Sequence, residues 1–189
     1  MKTALGIIIC GSLTLNAQAN EIHLMALSQP AKATEKLPAT TYRPLAIFWV
    51  HESAQGASGV VFQWTAGYIN SPNQEASYSI PSTSPWGGES GRFQPSASFV
   101  GGVRIQSPGI FRFGVGLDLR AGAEKESGSS GDTGSIQSKI QVRPWLIAQL
   151  RYAPSIGKAA PVVGVQYGVS TSEAPAPNKE FGFFAGLRF

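Results

Sequence analysis

The chain is poor in the residues from which metal sites and most catalytic centres are built. Its 189 residues hold one cysteine and two histidines. That excludes a disulfide framework and a zinc site, and leaves little for any other metal. No phosphate-binding glycine loop, Ser-His-Asp order or metal-ligand spacing occurs, so no cofactor is implied and no catalytic residue is assigned. Charged residues make up only 14% of the chain, and the net charge of +4 comes from scattered single residues. There is thus no basic patch for nucleic acid. Beyond the N-terminus no stretch approaches the ~20 apolar residues of a spanning helix, which excludes a helical membrane bundle. Aromatic residues at 10% argue against a disordered chain.

What is present begins with an export signal. Lys2 supplies a positive start, Ala4 to Cys10 open an apolar stretch, and Ala17-Gln18-Ala19 forms a small-x-small cleavage site. Residues 1–19 therefore read as a cleaved signal peptide, with Asn20 as the first mature residue. Cys10 lies inside this segment behind Ile9, which is too large for a lipoprotein signal. Residues 20–43 are polar and rich in turn formers, with no clear period, and read as an extended periplasmic tail or linker.

From about Leu45 the hydrophobic period is two, so residues 44–189 read as strands. Along 111–120, Phe111, Phe113, Val115, Leu117 and Leu119 oppose Arg112, Gly114, Gly116, Asp118 and Arg120. The same alternation marks strands near 60–68, 93–105, 136–152, 162–169 and 181–189, with weaker ones at 45–51 and 75–80. Pro144 sits inside one of them and would call for a bulge. Eight strands of about ten residues suit an up-and-down antiparallel barrel whose lumen side chains fill.

Alternation alone does not separate a soluble sandwich or barrel from a membrane barrel. The apolar faces here are long and aromatic, and the opposite faces carry Gly, Ser, Gln and Arg in place of the Lys/Glu mixture of soluble surfaces. The export signal points the same way. Phe181, Phe183, Leu187 and Phe189 end the chain as an alternating strand with a terminal aromatic. This strand resembles the C-terminal strand of bacterial outer-membrane β-barrel proteins, whose final Phe belongs to the signal read by the barrel-assembly machinery. The resemblance implies a transmembrane β-barrel in the outer membrane of a Gram-negative cell, surrounded by lipid and lipopolysaccharide. Trp49, Trp64, Tyr68, Tyr152 and Tyr167 are then membrane-interface aromatics.

If the C-terminus is periplasmic, the turns at 70–74, 106–109 and 154–160 face the periplasm, and 53–57, 81–92, 122–135 and 171–179 face outside. The lumen receives Arg104, Arg112, Arg120, Lys139, Arg143, Arg151 and Arg188 against Asp118 and Glu180. Unpaired cations in a dry lumen cost several kcal/mol each, so a charge network is expected. Arg104, Arg112, Arg151 and Arg188 form a ring at the periplasmic rim, on which Glu21 or Glu35 of the tail, or the terminal carboxylate, would dock as a plug. Asp118 sits between Arg120 and Lys139 or Arg143. His51-Glu52-Ser53 has the His-x-Ser spacing of lipid A deacylases, but Ala54 stands where that pattern has Asn, and Glu52 falls on the opposite face. The functional readings are a structural or surface-interacting barrel, a narrow anion-preferring porin-like pore, and, third, a lipid A-modifying enzyme.

Overall fold

The computed structural model describes residues 17–34, 37–53, 60–71, 75–80, 89–130, 133–154, 159–173 and 176–189. The proposed signal segment before Ala17, most of 53–57, all of 81–88 and Glu35 lie outside them. Ten strands follow one another: β1 (Ala17–Ala31), β2 (Thr40–Tyr42), β3 (Leu45–Ser53), β4 (Val61–Asn70), β5 (Ala76–Ile80), β6 (Glu89–Gln106), β7 (Phe111–Ser130), β8 (Thr133–Tyr152), β9 (Ala160–Ser170) and β10 (Lys179–Arg188). There is no helix among the described residues.

Eight strands, β1, β3, β4 and β6–β10, pair in antiparallel order and close through β1 and β10. The closure corrects one expectation. Residues 20–43 are not a tail: β1 pairs with β10 from Glu21↔Arg188 to Ser28↔Phe181, and with β3 on its other side. The eighth barrel strand is therefore β1, while β5 pairs only with the outer part of β6 and stands off the barrel path.

This exchange also moves two connections. Phe189 and Asn20 share one rim, called here the terminus end. β3 runs down to that rim and β4 starts from it, so Ser53, the first residue of the expected outer connection 53–57, lies there and not at the opposite, far end. Asn70, the first residue of the expected periplasmic turn 70–74, pairs with Leu45 at the far end instead. The described residues of the span 122–135 are strand, not loop. β7 and β8 continue as a paired ribbon to Ser130↔Thr133, well beyond the height at which β9 ends opposite Trp145. Pro144 needs no bulge: the β7–β8 register passes through Leu119↔Pro144 unbroken, one residue past the last β9 partner. The irregularity of this region lies between Pro95 and Ser98 instead.

Alternation sends the apolar rows outward. Phe99, Phe111, Phe113, Val115, Leu117, Leu119, Leu146, Leu150, Phe181, Phe183, Leu187 and Phe189 are all exposed, as are Trp49, Trp64, Tyr68, Tyr152 and Tyr167. Inside, Met25, Leu27, Ala46, Phe48, Val50, Val162 and Phe184 belong to one apolar cluster, and polar side chains drawn from all eight barrel strands fill the rest. Glycines make room for this packing. A Cβ on Gly102 would stand 2.7 Å from Thr65 Oγ1 and run into Asp118. Gly109 closes the β6–β7 turn at φ +102°, a conformation that costs side-chain-bearing residues far more.

Candidate functional site

The lumen is built in layers. At the terminus end, Glu21 of β1 and Glu52 of β3 meet Arg112 of β7, Arg151 of β8 and Arg188 of β10. Arg151 donates to Glu21 at 2.5 Å and also pairs with Glu52. Arg188 donates to Glu21 at 2.8 Å and to Glu52 at 2.5 Å. Arg112 reaches both oxygens of Glu52 at 2.9 Å. His23, stacked on Phe184 with ring centroids 4.7 Å apart, shares Glu21 at 2.7 Å. Three of the four arginines assigned to the rim are thus gathered, and the acid that docks on them is Glu21, held in a strand. Glu52, on the wrong face for a role beside His51, supplies the second carboxylate because that face is the lumen.

Above this layer Gln106 donates to Gln63 at 2.8 Å and to Gln149 at 3.2 Å. Next comes a second ionic group. Arg104, the fourth rim candidate, reaches away from the rim to Asp118 at 3.1 and 3.2 Å. Arg120 lies 3.7 Å from Asp118, donates twice to Glu180 at 2.6 Å, and stacks over Trp145 at 4.3 Å. Gln29 and Gln166 also donate to Glu180, at 3.0 and 2.8 Å. Asp118 therefore sits between Arg120 and Arg104, not beside Lys139 or Arg143. Lys139 leaves the network: it is exposed on the β7–β8 ribbon. Arg143 is half-buried and bound to Glu124 at 2.6 Å.

The buried set is thus Glu21, Glu52, Asp118 and Glu180 against Arg104, Arg112, Arg120, Arg151 and Arg188. Near-balance is what a lumen closed to bulk water requires, since a guanidinium without its carboxylate keeps its full desolvation cost. Several polar atoms, among them Arg104 Nε, Arg120 Nε and Gln166 Oε1, lack a protein partner. A cavity of about 50 Å³ beside Arg120, Glu124 and Trp145 opens at the far mouth, with room for a few waters.

The far end carries its own small core: Ala31, Leu37, Tyr42, Ala76, Phe93 and Ala176, with Tyr78 packed against it. Beside it the β7–β8 ribbon, Thr171–Glu173 and Ala176 line an open polar cleft of about 430 Å³. At the opposite rim, His51 Nδ1 pairs with Asn20 Oδ1 at 3.0 Å, and the Ser53 hydroxyl bonds the Phe62 backbone at 3.2 Å. The two residues of the His-x-Ser spacing thus have separate partners. No cluster of metal-ligating side chains occurs among the described residues.

No protein-family model and no curated protein matches the chain. Solved structures do. Neisserial surface protein A aligns over 90% of this chain and 97% of its own, with a TM-score of 0.51 and 11% identity. Ail, the attachment invasion locus protein of Yersinia pestis, aligns over 90% and 98%, with a TM-score of 0.53 and 14% identity. The structure of Ail in complex with the heparin analogue sucrose octasulfate gives 93% and 100%, a TM-score of 0.51 and 13% identity. The chain shares the fold of these small bacterial barrel proteins.

Proposed function

We propose that the chain is an integral outer-membrane barrel with a filled lumen, working through its far-end surface in contact or envelope maintenance. The observation that carries this reading is the inversion of the barrel: a continuous apolar outer wall around a paired ionic interior. In water such a wall would be an aggregation surface; in hydrocarbon it is the required one. The terminus end then faces the periplasm, after export on a signal cleaved before Asn20. Lipids and lipopolysaccharide surround the wall, and the barrel-assembly machinery reads Phe181, Phe183, Leu187 and Phe189.

Each of the five lumen arginines is ion-paired to one of the four buried carboxylates, which favours the filled barrel over an anion-preferring pore. The separate partners of His51 and Ser53 favour a role without catalysis. Heat-modifiable gel migration of the membrane fraction is the test: the unboiled protein is expected to run as a compact band that shifts on boiling. Recovery as an aqueous monomer would refute the reading. In planar bilayers no steady current is expected; an anion-selective one would establish the pore instead. Lipid A acylation unchanged by His51→Ala is the expected result for the non-enzymatic role.

A further inference from the structure

We propose that the terminus-end mouth of the lumen binds one small oxyanion, a phosphate or a carboxylate, between Arg112 and Arg188. The site rests on the closed barrel alone; that the ion comes from the periplasm rests on the membrane reading.

Charge divides unevenly between the two ionic layers. In the inner one Arg104 and Arg120 face Asp118 and Glu180, two against two. At the terminus end Arg112, Arg151 and Arg188 share Glu21 and Glu52, three against two. His23, on Glu21, adds no negative charge in either protonation state. Between the layers stand neutral Gln63, Gln106 and Gln149. The linking sequences 54–60, 107–110 and 153–159, which join strand ends of this rim, contain no Asp or Glu. Arginine stays protonated, so one positive charge is left over. Withdrawn from water without an anion, it costs several kcal/mol.

Two of the three arginines can meet such an ion. Arg112 and Arg188 both bind Glu52 Oε2, at 2.9 and 2.5 Å, so their guanidiniums lie side by side. Each side chain is 10% exposed, against 3% for Glu52 and none for Arg151 and Glu21. The open surface of the cluster is therefore cationic. Arg112 engages Gly109 O through Nε and Glu52 through Nη1, while Arg188 engages Glu21 through Nε and Glu52 through Nη2. Arg112 Nη2 and Arg188 Nη1 have no hydrogen-bond partner among the described residues. Donors on two adjacent guanidiniums, beside an unmatched charge, suit the oxygens of one oxyanion. Phe189 does not take this place: its carbonyl accepts from Asn20 N at 3.0 Å, on the β1 backbone. Both arginines lie on the inner face of the wall, so the ion enters from the aqueous mouth.

The experiment titrates inorganic phosphate into the full barrel, folded in a maltoside detergent that carries no phosphate, and follows the heat of binding. One phosphate per barrel is expected, displaced by excess acetate. Arg112→Gln leaves two arginines against two glutamates and is expected to weaken binding at least about tenfold. Gln149→Glu is the second variant. It sets a carboxylate two residues from Arg151 on the same face of β8, still able to accept from Gln106, and a similar loss is expected. Lys139→Gln, on the exposed ribbon, is expected to change nothing. Phosphatidylglycerol added to the micelle is expected to leave the phosphate affinity unchanged; displacement by that lipid would assign the site to a headgroup and overturn the soluble ligand. No binding to a barrel that shows heat-modifiable migration overturns the site, because water or the chain end then satisfies the third arginine. Binding that survives both Arg112→Gln and Gln149→Glu overturns it as well. A barrel that fails the migration test refutes the membrane reading first, which keeps the two failures apart.

Discussion

Arg188, the last residue of the last barrel strand, donates from Nε to Glu21 Oε1 of the first at 2.8 Å. Glu21 and Arg188 are also directly opposed in the β1–β10 ladder. The join between the two ends of the barrel is thus fastened by main chain and by charge at one place. Arg151 and Glu52 extend the same cluster to β8 and β3, and Arg112 carries it to β7. Five strands are tied together at one level of the lumen.

Glu52 is the most heavily used of these groups, with Arg112, Arg151 and Arg188 all bound to it. Glu52→Ala would leave three buried guanidiniums sharing Glu21 alone. A loss of about 3–5 kcal/mol is expected, the usual scale for removing one partner of a buried ion pair. Urea unfolding of the barrel in lipid vesicles measures it. An effect under about 1 kcal/mol would mean that the terminus end is wet enough to solvate its arginines unaided.

Gly101 and Gly102 are neighbours on β6 that face opposite sides of the wall. A Cβ at Gly101 meets nothing within 4 Å, whereas one at Gly102 is obstructed by Asp118 and Thr65. Gly101→Val is expected to fold as the parent does, or slightly better given the strand preference of valine. Gly102→Val must displace the carboxylate that holds Arg104, and is expected to abolish the heat-modifiable band. Equal behaviour of the two variants would contradict the assigned facing of β6.

How far the sequence reveals this arrangement depends on which part of the lumen a strand lines. β7 presents Arg112, Gly114, Gly116, Asp118 and Arg120 inward, so its two faces differ in polarity and the period is plain. β1 lines the apolar side. Its inward Met25 and Leu27 alternate with outward Leu24 and Ala26, and the polarity contrast that marks a strand disappears. β3 reads as apolar on both faces for the same reason, with Ala46, Phe48 and Val50 inside. The local pattern of β5 correctly indicates a strand, but only the tertiary pairing shows that it is no barrel stave. Arg104 and Lys139 have the right parity for the lumen, yet parity carries no height. Asp118 draws Arg104 inward, while Lys139 lies beyond the rim on the ribbon.

β1 gives the sharpest contrast between a tail and a barrel strand. Ala26 is paired with Phe183 of β10 and with Leu45 of β3. A proline there would remove a ladder bond at a position with neighbours on both sides and clash with the extended ladder. Ala26→Pro is expected to prevent closure, read as loss of the compact unboiled band. The native Pro30 is tolerated because β1 has left β10 by then and pairs only with Thr41 of β2. A normally folded Ala26→Pro protein would restore the tail reading.

The tryptophans test the inverted polarity directly. Trp49 is 58% exposed on the outer wall, whereas Trp145 is 3% exposed in the lumen under the Arg120 guanidinium. Variants that keep one tryptophan each, the others replaced by phenylalanine, can be reconstituted in vesicles of ordinary or brominated phospholipid. Brominated acyl chains quench an indole only at close range. Fluorescence from Trp49 is expected to fall strongly in the brominated vesicles, and that from Trp145 to stay nearly unchanged, because a full protein wall separates it from lipid. A water-soluble quencher such as acrylamide should leave Trp145 bright as well, since the paired arginines and carboxylates close the lumen around it. Quenching of Trp145 by acrylamide but not by lipid would reveal an open aqueous channel. If neither quencher reached Trp49, the aromatic wall would have to be covered by protein, and the case for a lipid-facing surface would fail.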